Sequence, residues 1–289
     1  MNKFNRRQFL STGALGIGAA VFASGSTLES LANRSTIPAK MPIGFQTWSV
    51  RELLSKDFSG TLRMMAGLGY QTLEMCSPPS YSDNGFGGLV KYTGKQLQQM
   101  VNDAGLSMIS THYGFDELKN NLDDRIRFAK DSGQKQMILS SFGLPEKASL
   151  ADWQKAADEL NKIGEKVKKE GIQMGYHNHD GEFATLDGTL LYEALMKAFD
   201  PALIKMQFQV AVIRLGYKAS TYFEKYPGRF ISSHLADWSP QANKQVNLGQ
   251  GIVNWKEFMA ALPIGGVQNI FVEMELDTMK DSVSYLHSL

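Results

Sequence analysis

The sequence predicts an α/β fold, a closed (β/α)8 TIM barrel that forms a single domain behind an N-terminal signal segment. Three observations predict it. Eight short apolar runs alternate with amphipathic helical stretches from about residue 43 to the C-terminus, polar residues gather at the ends of those runs, and no G-x-G-x-x-G turn follows the first run. Strand–helix–strand units are right-handed and set successive parallel strands side by side, so eight of them close into a barrel. An open doubly wound sheet is the alternative, and its glycine-rich turn is the feature that is missing. The 289 residues fit one barrel or two smaller domains, so length alone does not choose.

In chain order, the first stretch stands apart from the rest. Asn5-Arg6-Arg7-Gln8-Phe9-Leu10 resembles a twin-arginine export signal, and the small-residue apolar run 13–23 behind it is too short and glycine-rich to span a bilayer. Residues 1–33 are therefore expected to be a signal segment with its linker, and 40–289 the barrel. The expected product is a periplasmic protein with no membrane attachment once the signal is removed. Strands are expected over 43–48, 72–75, 107–112, 136–140, 172–177, 204–209, 230–235 and 269–275. Helices are expected over 58–67, 94–104, 115–132, 150–170, 188–199, 219–226 and 255–262. The first of these carries Leu62, Met65 and Ala66 at helical spacing and stops at Gly67-Leu68-Gly69, a glycine termination.

Composition excludes several functions. Lys and Arg number 30 against 29 Asp and Glu, a formal charge of +1, so no strong field recruits nucleic acid or an acidic membrane. A small neutral molecule is the easier partner. Cys76 is the only cysteine, which rules out an internal disulfide and a thiolate cluster. Any metal must then be held by nitrogen and oxygen.

In a barrel, function sits at the carboxyl ends of the strands. Those ends carry Gln46, Trp48, Glu74, His112, Ser140, Ser141, His177, His179, Gln207, Gln209, His234, Glu273 and Glu275. Burying an unpaired carboxylate or imidazole costs several kcal/mol, so these groups must meet one another, water or a metal. The densest stretch is Tyr176-His177-Asn178-His179-Asp180-Gly181-Glu182-Phe183. Residues two apart on a strand share a face, so His177 and His179 can aim at one point while Glu182 joins from the loop beyond. The plainer alternative is a polar strand end whose imidazoles bond backbone carbonyls.

That stretch resembles the Y-H-N-H-D-x-E-F segment of the xylose-isomerase-like barrel superfamily, the sugar phosphate isomerase/epimerase group. The likeness extends to Gly44-Phe45-Gln46-Thr47-Trp48-Ser49-Val50-Arg51, Tyr226-Pro227-Gly228-Arg229-Phe230, His234-Leu235-Ala236-Asp237, Leu248-Gly249-Gln250-Gly251-Ile252-Val253-Asn254-Trp255 and Val272-Glu273. It implies one divalent ion near the barrel axis (Mn, Zn, Mg or Co), held from the ends of strands five to eight. Carried onto this chain, His234 and Glu273 are ligands, and the fifth-strand group is His177, His179 or Glu182. The strand-six aspartate of the family falls on Gln209, which brings a carbonyl oxygen but no charge. Ala236 and Gln250 also depart from the family pattern, at a frequent lysine and a frequent acidic residue. The metal set expected is thus His179, Glu182, Gln209, His234 and Glu273.

The chemistry such a site supports is proton abstraction beside a carbonyl that the metal polarises. A histidine, with an ordinary pKa of about 6.5, or a buried glutamate can take the proton. His177, His179, Glu182 and His112 are the candidates for base and acid, and Gln46, Trp48, Glu74 and Trp238 for substrate contact, the tryptophans against an apolar sugar face. Return of the proton to the opposite face gives an epimer, and to the neighbouring carbon an isomer. Loss of a β-oxygen group would instead make a 3-keto-glycoside lyase or hydratase, and loss of turnover a periplasmic sugar-binding barrel. The partner expected in each case is a small-molecule carbohydrate, and a homo-oligomer is compatible with all three. An apurinic-site endonuclease shares the superfamily, but five histidines and a charge of +1 do not supply its metal cluster or a basic DNA face.

Overall fold

The computed structural model describes residues 41–289, and the expected signal segment lies outside the described residues. Eight parallel strands close on themselves: β1 (Ile43–Gln46), β2 (Thr72–Cys76), β3 (Ser107–Gly114), β4 (Gln136–Ser141), β5 (Gln173–His177), β6 (Ile204–Gln209), β7 (Phe230–Leu235) and β8 (Asn269–Val272). Each pairs with its sequence neighbours, and β1 pairs with β8 to complete the ring. The α/β barrel is therefore observed, with helices outside it. No described helix is long and apolar enough to cross a membrane.

Local chemistry fixes the helix ends. Asp57 Oδ1 accepts from Gly60 N at 2.8 Å and starts helix Phe58–Leu68, which stops at Gly69, whose φ of 107° is strained for any residue with a Cβ. Thr93 with Gln96, and Ser149 with Asp152, form reciprocal caps on Gly94–Asp103 and Leu150–Lys169. The outward strand residues and the inner helix faces make the main core, with Leu62, Met65, Leu97, Leu160 and Val167 fully buried.

Four departures from the expected elements bear on the site. Helix 115–132 is broken at Asn121 (φ −134°) into Phe115–Asn120 and Leu122–Asp131. The last strand ends at Val272, which leaves Glu273 on the loop beyond. A further helix, Leu276–Ser288, follows, and Tyr70 Oη donates to Met279 O at 2.9 Å to hold it across the barrel's closing seam. Two short hairpins, Thr185–Leu186 with Thr189–Leu190 and Asp237–Ser239 with Lys244–Val246, rise from the carboxyl side of the sheet.

Candidate active site

The barrel interior is organised around one carboxylate. Glu74 lies inside the length of β2 and is 0% exposed, so an unpaired charge there would cost several kcal/mol. Five donors meet it instead. Its Oε1 accepts from Gln46 Nε2 at 2.8 Å and His234 Nε2 at 2.6 Å, with His112 Nε2 also 2.9 Å away, and its Oε2 accepts from Ser110 Oγ at 2.5 Å and Gln207 Nε2 at 2.9 Å. Burial pushes the Glu74 carboxyl upward, but His112 and His234 beside it outweigh burial and hold it well below the usual range. The carboxylate stays ionised at the barrel axis.

This anchor orients two histidines. Gln207 gives its Nε2 to Glu74 and to Ser232 Oγ (2.8 Å), so its Oε1 faces His112 Nε2 at 2.6 Å. His112 Nε2 then lies between two oxygen acceptors and must carry a proton. His234 bonds Glu74 through Nε2 and reaches Glu273 Oε2 through Nδ1 at 2.9 Å. Burial pushes this imidazole down, yet the Glu273 and Glu74 carboxylates together raise it to about 9. Glu273 is pushed up by burial and brought down more strongly by His234, to about 2. The pair is an imidazolium between two carboxylates.

His177 has the opposite character. Burial first, then the neighbouring His234, His179 and His112, hold it well below the ordinary histidine value, so it is neutral. Its ring centroid lies 4.4 Å from that of His234, 4.8 Å from His179 and 5.0 Å from His112, and its Nδ1 is buried with no partner among the described residues.

Two adjacent cavities lie over this cluster. An inner chamber of about 230 Å³ is bounded by His112, His177, Ser140 and Tyr81, and an outer cleft of about 660 Å³ runs away along residues 48–53. Trp48, His179 and Glu273 line both.

Of the residues picked out by sequence, the structure brings His112, His177, His179, Gln209, His234 and Glu273 together. Others need correction. Glu182 is turned away: its Oε1 accepts from Tyr176 Oη at 2.5 Å and its Oε2 from His179 N at 2.9 Å, so it braces the loop and faces neither cavity. Gln209 arrives with its amide nitrogen, which donates to Glu273 Oε2 at 2.6 Å, while its Oε1 accepts from Ala211 N at 3.2 Å; the oxygen a metal would take is engaged. Gln46 and Glu74 are fully buried beneath the chamber and touch no substrate space. Trp238 sits on the Asp237–Ser239 hairpin with the Arg214 guanidinium 6.0 Å from its ring and lines neither cavity. Trp48 does line both, with Arg51 over one face of the indole at 4.2 Å.

Sequence reading missed Ser110 and Ser232, which complete the interior network, and the weight carried by Asp237. That carboxylate accepts from the backbone nitrogens of Trp238, Gly249, Gly251 and Val253 and from Trp255 Nε1, all at 2.9–3.1 Å. A Cβ on Gly251 would stand 2.1 Å from Asp237 Oδ1, so the loop closes on the carboxylate only with glycine there. The Asp237…Gly249-x-Gly251 spacing was the available signal.

The cluster fits a divalent cation. His234 donates Nε2–H to a buried carboxylate and aims Nδ1 at Glu273, the arrangement in which an outer carboxylate orients a metal-bound imidazole. His179 stands open beside them on the shared wall of the cavities. A second donor set shares His234: one ring nitrogen from each of His112, His177 and His234 lies within 4.8 Å of the others, so the three buried histidines could hold a metal.

Comparison with known proteins agrees with this architecture. Residues 62–288 match the family described as xylose isomerase-like TIM barrel. This chain belongs to that family. Among characterised proteins it resembles an inosose dehydratase of Bacillus anthracis, 31% identical over 87 residues, 30% of this chain and 28% of the relative. It also resembles one of Lacticaseibacillus casei, 24% identical over 173 residues, 53% of this chain and 57% of the relative. The matches thus span well under two thirds of these relatives. Among solved structures, the xylose isomerase-like barrel superposes with a sugar phosphate isomerase/epimerase from Parabacteroides distasonis at a TM-score of 0.70, with 24% identity, 86% of this chain and 95% of the other. A xylose isomerase-like barrel protein from Mycobacterium smegmatis, solved in complex with magnesium, gives 0.64 at 15% identity, covering 86% and 96%.

Proposed function

We propose that this barrel is a metal-dependent carbohydrate enzyme that removes a proton from a carbon next to a carbonyl, with isomerisation or epimerisation as the outcome. The observation that carries the reading is a neutral imidazole on the chamber wall packed against a histidine held between two carboxylates. The His177 ring, held neutral and with its Nδ1 unpartnered among the described residues, lies 4.4 Å, centroid to centroid, from His234, whose Nε2 is bound to Glu74 and whose Nδ1 faces Glu273. In this reading His234 Nδ1, Glu273 and His179 hold the ion. Two imidazoles with one carboxylate suit zinc, manganese or cobalt better than magnesium. When bound, the ion would act as a Lewis acid on the sugar carbonyl and make the adjacent C–H acidic.

The protein's own groups do the rest. His177 is neutral and can accept the proton, and its depressed basicity lets it give the proton up again. His112, oriented by Glu74 and Gln207, lines the inner chamber as the partner group for the opposite face or the neighbouring carbon. Glu74 keeps the His112 and His234 rings fixed in orientation. The twin-arginine-like Arg6-Arg7 motif supports placing the folded protein in the periplasm.

Elimination is the second reading, and the similarity to inosose dehydratases favours it. The same base would serve, with loss of a β-oxygen group as water or as the aglycone of a 3-keto-glycoside. Incubating metal-loaded protein in D2O with ketoses, inososes and 3-keto-glycosides separates the readings. Deuterium on the recovered sugar or its epimer supports the first, and an unsaturated or cleaved product supports the second. Tight sugar binding with no proton exchange on any of them would leave a binding protein and overturn both.

A further inference from the structure

We infer that the substrate is a neutral glycoside of at least two units, with the reacting ring in the inner chamber and the second polyhydroxylated unit in the outer cleft. This rests on the proton-abstraction reading for the inner ring, while the outer subsite stands on the cavity geometry. The inner chamber, about 230 Å³, is the size of a single ring and holds the base histidines His112 and His177. The outer cleft, about 660 Å³, lies within the range of whole small-molecule sites and contains none of the base histidines. The two share Trp48, His179 and Glu273, so a molecule held beside the proposed ion projects its attached group towards the cleft. A free monosaccharide or cyclitol would leave the larger space to water.

The lining says what the second unit is. The lining mixes Arg51 and Lys56 with Glu52, Glu273, Glu275 and Gln245, so acidic groups offset the basic ones. Arg51, the strongest anion binder among them, is held against Trp48: its Nη1 donates to Trp48 O at 2.9 Å and its guanidinium lies over the Trp48 ring. A phosphate would meet carboxylates there beside the cations. Hydroxyl groups, each both donor and acceptor, match this mixture, and the exposed part of Trp48 offers an apolar surface to a sugar face at the junction.

The test is binding, measured apart from turnover. Full-length metal-loaded protein is titrated by calorimetry and saturation-transfer NMR with cellobiose, maltose and trehalose, against glucose and glucose 6-phosphate. At least one disaccharide should bind ten-fold or more tightly than glucose, with glucose 6-phosphate no better than glucose. Gln245→Trp, on the exposed hairpin, and Lys56→Trp, in the same lining, narrow only the outer cleft. Each should cost disaccharide affinity ten-fold or more and leave glucose unchanged. Equal affinity for glucose and every disaccharide, preference for the phosphate, no disaccharide binding at millimolar concentration, or equal losses for glucose and disaccharide in both variants would overturn the inference. Disaccharide preference without deuterium exchange would remove the enzymatic reading and keep the subsite.

Discussion

Glu74 Oε1 accepts a hydrogen bond from His234 Nε2 at 2.6 Å, and this bond decides which nitrogen of His234 faces the barrel mouth. With Nε2 committed below, Nδ1 is the nitrogen presented to Glu273 and to any ion above. Replacing Glu74 with Gln keeps the volume but substitutes an amide for a carboxylate that takes four hydrogen bonds and a close His112 contact, so some buried donors must lose an acceptor. Metal affinity should fall about 10- to 100-fold, and the barrel should lose about 1–3 kcal/mol of stability. Calorimetric metal titration and thermal unfolding of Glu74→Gln measure the two effects. Wild-type metal affinity in a folded variant would detach Glu74 from the site.

The metal-free protein should be most stable near pH 6.5. His234 is raised to about 9 in the fold against an ordinary value of 6.5, so its contribution is complete below 6.5 and is lost as pH climbs through 9. That loss is on the order of 3 kcal/mol at most. His177 is depressed, so its neutral form supports the fold above 6.5 and the support fades as pH falls below that. Glu74 and Glu273, both depressed, steepen the acid limb further down. Metal should also displace the His234 Nδ1 proton and release about one proton per ion at pH 7. Denaturant midpoints across pH, and metal titrations in two buffers of different ionisation enthalpy, check both statements. A stability maximum at pH 9 or above would show that His234 is not held as an imidazolium.

His234→Ala should abolish metal retention and leave a folded though less stable barrel, because the ring contacts Glu74 and Glu273 inside the barrel and no part of the main core between strands and helices. Elemental analysis of the purified variant beside its circular dichroism spectrum decides this. Metal content equal to wild type would move the ion to a set that excludes His234.

The strands were legible because each apolar run ends in polar residues, and all eight fall within a few residues of their expected bounds. The closing helix Leu276–Ser288 was not, since Glu273-Met274-Glu275 continues the preceding run with an alternation that reads as strand. Within the site, His177 and His179 could be paired from spacing because a strand alternates its side chains, but depth was invisible: one became buried and the other exposed. Glu74 looked like a strand end, yet β2 runs on to Cys76 and leaves it inside the barrel. Glu182 looked like a ligand because sequence places it near the histidines, and only the turn Asp180–Phe183 reveals that its carboxylate points back at Tyr176 and the His179 backbone.

Glu182→Gln should therefore leave metal stoichiometry unchanged while weakening the loop that carries His179. The amide is a poorer acceptor for Tyr176 Oη and His179 N, a loss of about 1–2 kcal/mol in stability. Proton exchange should slow in the same variant, because His179 is less well held. Metal analysis together with thermal unfolding tests it, and loss of the ion with stability intact would restore Glu182 as a ligand.

Gln209→Asp separates the metal-free from the metal-bound protein by the sign of its effect. Gln209 Nε2 now donates to Glu273 Oε2 at 2.6 Å, and an aspartate would exchange that attraction for a second carboxylate facing the first. Without metal, the like charges should lower stability by about 1 kcal/mol or more, with the thermal midpoint falling by a few degrees. With metal, the added charge becomes a ligand, and affinity should rise ten-fold or more. Thermal melts with and without chelator, beside a metal titration, read both halves. Because opposite signs are required of one substitution, a change in general stability cannot imitate the result, and unchanged affinity would mean that β6 does not reach the ion.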